Sequence, residues 1–460
     1  MNVSIIGGGI SGLCAGIYAI KKGFNVTIYE KNKYIGGILN ENMHDTYLIY
    51  DNPSFYQELG IGDLNLVSKP YLTSYKDLYI YQDLDITIES LKNKNINDID
   101  SINKLKEDIL KAYDYKFNYD DAFDLLSFTA KTKLLMFLNK NASIIKKYSK
   151  ISVLDYFNKF QDEDIKSLFL NIVPAYFPVY LLFVYLALYF NNKLLILKDK
   201  KELINKLSSY FLSLGGTINT NSNVQKIILS RMSVDKIVIN DKEIKTNIII
   251  YTADPYYLFT ELLSNKYNER KFMLRYEDYK NYPLTSMISF KYSFKADKEI
   301  EEDFILETDK FKIASSIINT LKIKSDNNQL MINIPINNDD YKYFKILANN
   351  KKIYEKEIKD INNIIEKIII SSIKKSYDIN IKLNNIDIID PLSIEDKYRR
   401  YDANISSFGI MKNGETFISD GTLASIKSLY IANGSLNCPS NILDIMINTK
   451  NVVRRIEKKL

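Results

Sequence analysis

Histidine and cysteine are nearly missing from this chain. Its 460 residues contain one histidine, His44, and two cysteines, Cys14 and Cys438. That scarcity excludes a disulfide framework, a cysteine zinc site and a histidine-rich metal centre, so no metal is expected. A Ser-His-Asp triad would have to use His44, which sits in a loop-like stretch without a nucleophile pattern and reads as a surface residue. Cys14 falls inside the first helical stretch and reads as a small buried side chain. Tryptophan is absent, while Ile, Lys, Asn and Tyr abound. That bias matches AT-rich coding, so Asn93 to Asn97 is not read as a low-complexity binding tract. Charge of one sign is also lacking: 62 Lys and Arg face 56 Asp and Glu, a net +6, with lysines scattered among acids. No basic stripe argues for a nucleic-acid partner. No basic leader precedes the first strand, so a cytoplasmic location is expected.

Hydrophobic residues make up 46% of the chain, enough for a large core, and the length fits about three domain-sized units. Long apolar runs are few. The longest, Ile172 to Phe190, has nineteen uncharged residues, but Pro174 and Pro178 break its first half. What remains, Val179 to Phe190, predicts a buried helix of about three turns rather than a membrane span. Its aromatic residues leave a peripheral membrane contact open.

The N-terminus is the informative part. Val3 to Ile6 predicts a buried strand, and Gly7, Gly9 and Gly12 follow in the spacing G-x-G-x-x-G. A helix is expected from Ser11 to Lys22, stopped by Gly23, then a strand from Asn25 to Tyr29 leading into Glu30. Each position has a physical task. Gly7 makes the tight turn, Gly9 lets a pyrophosphate approach the main chain, and Gly12 lets helix and strand pack closely. The helix start offers N–H groups and a positive dipole end to phosphates. Glu30 suits ribose hydroxyls and disfavours a 2′-phosphate, which points to FAD or NAD rather than NADP.

Further segments carry a family resemblance. Gly36-Gly37 follows Glu30 closely. Lys200 to Leu214 predicts an amphipathic helix with Leu203, Leu207 and Phe211 on one face. Gly215-Gly216, Asn223 to Ile228, a hairpin through Val234 to Ile239, and the apolar strand Ile248 to Tyr251 ending in Thr252-Ala253-Asp254-Pro255 come next. Asp390-Pro391-Leu392-Ser393, Lys397-Tyr398, a strand at Ser428 to Asn433 and a helix from Asn441 to Lys458 complete the pattern. Taken together, the chain resembles the phytoene desaturase-like FAD-dependent oxidoreductases of the amine oxidase superfamily.

The resemblance implies an α/β fold. A Rossmann-like FAD-binding domain would be assembled from 1–65, 193–256 and 411–460. An α+β substrate domain would come from the insertions 66–192, largely helical, and 257–410. It implies FAD contacts at Gly7, Gly9, Ile10, Ser11, Gly12, Glu30, Lys31, Gly36, Gly37, Ile38, Val224, Ala253, Asn433, Gly434, Asn441 and Ile442. The family often has a basic residue where this chain has Ile38, and a Pro-x-Gly-Gly stretch where it has Leu197-Lys198-Asp199-Lys200. Its terminal turn is usually glycine-rich; here Asn437-Cys438-Pro439-Ser440-Asn441 stands, with Asn441 expected to take the left-handed backbone of a glycine.

The implied chemistry is hydride transfer between flavin and a lipophilic unsaturated substrate, an isoprenoid or other lipid, in desaturation, saturation or isomerisation. Ile172 to Phe190 is expected to wall an apolar pocket. Cys438 should lie near the flavin as a packed thiol. No acid or base is singled out as catalytic. Two alternatives stand beside this reading: an amine oxidase-type enzyme on a smaller polar substrate, and a dinucleotide-binding relative without catalysis. The oligomeric state is not legible.

Overall fold

The computed structural model describes residues 1–41, 46–119, 121–405, 418–437 and 440–460. The surface position expected of His44 and the flavin-side position expected of Cys438 lie outside the described residues.

Five short parallel strands form the sheet that matters for function. Their spatial order is 429–431, 248–251, 2–6, 25–29 and 217–219. Strand Asn2–Ile6 runs centrally, with Ile5 beside Ile250 on one side and Ile28 on the other. Parallel strands covered on both faces need apolar side chains throughout, and Ile248–Tyr251 is buried at every position. The first helix, Ile10–Lys21, packs against helix Lys200–Ser213 and the terminal helix Ile442–Lys459. On the middle helix Leu203, Leu207 and Phe211 are fully buried, one apolar stripe at helical spacing. The Phe211 ring is wedged between two glycines. A Cβ on Gly16 would lie 2.7 Å from it, and one on Gly216 2.2 Å.

A three-stranded antiparallel sheet, 224–230, 233–239 and 242–245, follows the middle helix. The remaining chain builds a seven-stranded sheet ordered 381–389, 286–296, 329–336, 316–326, 303–313, 71–75 and 78–81. The hairpin 71–81 joins it by parallel pairing of Ser74 and Tyr75 with Phe304 and Ile305. The long helix Lys351–Tyr377 lies on this sheet, burying Ile361, Ile365, Ile369 and Ile373 at four-residue spacing. This second core is separate from the one around the parallel sheet.

The apolar run resolves as Pro178 preceding helix Val179–Phe190. Its side chains are spent on protein neighbours, helices Ile99–Ala112 and Phe128–Tyr148 among them. No helix among the described residues is long and apolar enough to cross a membrane.

Candidate functional site at the ends of the parallel strands

The residues that follow four of the five parallel strands converge. Gly7, Glu30, Thr252 and Asn433 come just after strands 2–6, 25–29, 248–251 and 429–431, and all line one cavity of about 450 Å³. Crevices beyond the carboxyl ends of parallel strands are where open α/β sheets place their ligands.

Short-range chemistry shapes the glycine turn. Gly7 takes φ +111°, and its carbonyl oxygen lies where a Cβ on Gly12 would come within 2.0 Å. Gly12 is thus a packing position beneath the cavity and does not line it. Gly9 is the opposite case: a Cβ there would meet nothing within 4 Å, because the space above it is the cavity. No side chain caps the first helix, so its leading N–H groups have no capping acceptor. Gly36 N–H donates to the Gly8 carbonyl at 2.8 Å, tying the second glycine pair to the first. Thr252 Oγ1 donates to the carbonyls of Ile6 and Gly7 at 2.9 and 3.0 Å, which holds the turn from the neighbouring strand.

Glu30 is buried, and both its oxygens are engaged by main chain. Oε2 accepts from Gly8 N–H and Oε1 from Asn32 N–H, each at 2.8 Å. An ionised carboxylate has about four acceptor sites, so capacity for ribose hydroxyls remains. Opposite, the terminal helix begins at the cavity wall with Asn441, Ile442 and Ile445. Asn441 does not take the left-handed backbone expected of it. At φ −114°, ψ −178° it is extended and forms a capping box with Asp444. An Asn at a helix start gains more by accepting the N3 N–H than by imitating glycine. Burial pushes the Asp444 carboxyl up to about 6, and the hydrogen bond from Asn441 N–H only partly offsets this.

All the sequence-derived contact residues except Gly12 line this one cavity, Lys31, Ile38, Val224, Ala253 and Gly434 included. The structure does not bring residues 172–190 to it. Tyr185 packs edge-on against Tyr47, which does line the cavity, so the apolar helix stands one layer behind. The expectation of a wall at Ile172 to Phe190 is corrected accordingly. Lys200, in the stretch that departs from the family pattern, lines the cavity and donates to the Glu41 carbonyl at 3.3 Å.

Several lining residues were not read from the sequence. Tyr257, Tyr276, Arg399, Arg400 and Asn404 come from the region after residue 256, as does Tyr398, which the sequence placed in the family pattern without a site role. Segment 390–405 crosses the cavity as a strap. Lys31 Nζ donates to the Asp396 carbonyl at 2.9 Å and Asn32 Nδ2 to the Lys397 carbonyl at 3.2 Å. Lys397 and Tyr398 both reach the Glu41 carboxylate. At the far end Asp254 accepts from Tyr401 N–H at 2.9 Å and from the Tyr276 hydroxyl. Burial lowers the Lys31 ammonium, helped by the Arg399 charge, and burial lowers the Arg400 guanidinium while Asp254 opposes it. Burial raises the Tyr276 hydroxyl far above its ordinary range, with Asp254 adding to the effect, so it stays protonated. The adjacent Arg399-Arg400, two of only seven arginines in a lysine-rich chain, was the available signal.

These residues fit an FAD. The open face at Gly9, two helix starts at one cavity and a buried carboxylate at the end of the second strand are what a dinucleotide requires. Among the described residues no cluster of metal-ligating side chains occurs.

Comparison with known proteins agrees. Residues 5–58 match the NAD(P)-binding Rossmann-like domain family. Over 281 residues the chain is 22% identical to a 4,4'-diapolycopen-4-al dehydrogenase of Metabacillus indicus, covering 55% of this chain and 56% of that protein. The chain thus spans about half the length of this curated relative. Among solved structures, an oxidoreductase from Methanosarcina mazei superposes with a TM-score of 0.56 at 13% identity, over 98% of this chain and 99% of that one. A cyclohexylamine oxidase from Brevibacterium oxydans IH-35A superposes with a TM-score of 0.52 at 12% identity, over 100% and 99%. The chain is a Rossmann-like α/β protein with the fold of the FAD-dependent oxidoreductases of phytoene desaturase and amine oxidase type.

Proposed function

We propose that the chain is an FAD-dependent oxidoreductase that moves a hydride between flavin and a lipophilic unsaturated substrate of isoprenoid or related lipid type. One observation carries this: residues from three separated stretches, Gly7 to Ile38, Val224 to Ala253 and Asn433 to Ile442, meet around a single cavity at the strand ends. On this reading 1–65, 193–256 and 411–460 form the cofactor domain, and 66–192 and 257–410 the substrate domain. Glu30 holds the ribose end, and the starts of helices Ile10–Lys21 and Ile442–Lys459 offer N–H groups to pyrophosphate and flavin. Gly9 supplies clearance. Leu39, Ile442 and Ile445 give the cavity apolar lining that excludes water. Flavin, when bound, supplies the hydride-accepting chemistry. The lipophilic substrate class follows the relative named a 4,4'-diapolycopen-4-al dehydrogenase.

A second reading, an amine as substrate, is favoured by the tyrosines Tyr47, Tyr257, Tyr276 and Tyr398 on the cavity wall. The test is reconstitution with FAD, followed by anaerobic mixing with an acyclic carotenoid in detergent or with a primary amine. Uptake of FAD and bleaching of the flavin band by the carotenoid support the first reading. Bleaching by the amine alone replaces it with the second. A chain that takes up no FAD ends both.

A further inference from the structure

We propose that the outer face of helix Phe128–Tyr148 is a docking surface for an anionic lipid bilayer. The helix is amphipathic in an unusual sense. Its inner face buries Leu134, Asn141, Ile144 and Tyr148, as any core-facing stripe would. Its outer face also carries large apolar side chains: Phe128 is 85% exposed, Met136 63% and Leu135 52%. Phe128 and Leu135 are seven residues apart, so they stand one above the other on the same side. Phe123, just before the helix, is also exposed, and the Lys131 ammonium lies 5.1 Å from its ring centroid. Scattered apolar side chains on a surface mean little; several within two turns of one helix mark an interaction site.

Charge selects the occupant. One stretch departs from the general scattering of lysines among acids: from Leu125 to Leu154 the chain has six lysines and no Asp or Glu. Lys133, Lys146 and Lys147 are exposed. A second copy of the chain is a poor partner, because a two-fold contact would set this lysine-only face against itself. A bilayer with anionic headgroups meets both needs, offering hydrocarbon to Phe128, Leu135 and Met136 and negative charge to the lysines. The attachment would be in the plane of the interface, since no described helix can span. The surface uses no residue of the cavity, so it stands whether or not the flavin reading does.

The experiment is sedimentation of the full chain with vesicles of phosphatidylcholine alone and of equal parts phosphatidylcholine and phosphatidylglycerol. The parent chain should pellet with the mixed vesicles, stay in solution with the neutral ones, and be released by high salt. The triple variant Phe128→Ser, Leu135→Ser, Met136→Ser should lose on the order of tenfold in partition. The charge variant Lys131→Glu, Lys133→Glu should lose as much, and it serves if the triple variant fails to fold. Parent chain that ignores phosphatidylglycerol vesicles, or folded variants that pellet as the parent does, overturn the proposal. So does a parent that is dimeric in solution and becomes monomeric on the triple substitution.

Discussion

The carboxylate of Glu30 is bonded to the main chain of Gly8: Oε2 accepts the Gly8 N–H at 2.8 Å across the gap between two parallel strands. Its other oxygen holds Asn32 N–H. Glu30 therefore shapes the glycine turn from below as well as facing the cavity. Glu30→Ala should lower unfolding free energy by about 2–3 kcal/mol, since the buried Gly8 N–H and the part-buried Asn32 N–H both lose their carboxylate acceptor. FAD affinity should fall in parallel. Urea unfolding with and without FAD measures both, and an unchanged midpoint would show that water replaces the carboxylate at no cost.

Gly9 and Gly12 separate binding from folding. A methyl at Gly9 enters open space, so Gly9→Ala should fold with the parent's melting temperature yet lose at least about tenfold in FAD affinity, because the methyl occupies ground meant for the pyrophosphate. A methyl at Gly12 strikes the Gly7 carbonyl, so Gly12→Ala should be destabilised by roughly 1–3 kcal/mol or more before any ligand is added. Titration by flavin fluorescence, alongside thermal melting, reads the two effects separately.

Phe211 locks the first helix to the middle helix through Gly16 and Gly216. Phe211→Ala should cost about 3–5 kcal/mol, the range for emptying an aromatic site in a packed core. Gly16→Ala should also destabilise, by overpacking the same contact. Differential scanning calorimetry of both variants checks this, and a neutral Gly16→Ala would mean that the ring can swing aside.

Asp444 gives the protein a pH dependence of definite sign. Its carboxyl is raised from 3.8 to about 6 by burial, so the folded chain holds this proton more tightly than the unfolded chain. Its contribution to stability is complete below pH ~4 and is lost as pH rises through ~6, by up to about 3 kcal/mol. Asp444→Asn should flatten that part of the profile. Chemical unfolding at pH steps from ~4 to ~7.5 reads the difference, and parallel profiles for the two proteins would sink the assignment.

Local signals in the sequence reached far at the N-terminus. The spacing of Gly7, Gly9 and Gly12, the strands around them and the acid at 30 are neighbours in the chain, and their roles follow from backbone geometry. The middle helix was legible for the same reason, with Leu203, Leu207 and Phe211 at helical spacing. What escaped was non-local. Arg400 and Asn404 reach the cavity because a strap from the second half of the chain crosses it, and Tyr276 because helix Arg270–Glu277 packs beside it; the arginine pair hinted at a site, but no local pattern says which cavity it meets. The pairing of Tyr75 with Ile305 is likewise invisible to periodicity. At Asn441 the residue type admitted two backbones, and the acid three positions on decided for the cap. The apolar run Ile172 to Phe190 showed correctly that a helix is buried there, but not which neighbours would bury it.

The parallel sheet pairs Ile249 with Leu429 and Ile5 with Ile250, contacts 180 and 245 positions apart along the chain. During synthesis the glycine turn and its helix precede strand 248–251, yet the edge of that strand stays bare until residues 429–431 have left the ribosome. High contact order of this kind slows folding and leaves an apolar strand edge exposed meanwhile. The cavity is therefore among the last parts of the molecule to exist. A nascent or truncated chain would carry the glycine motif intact and still have nowhere to put a nucleotide.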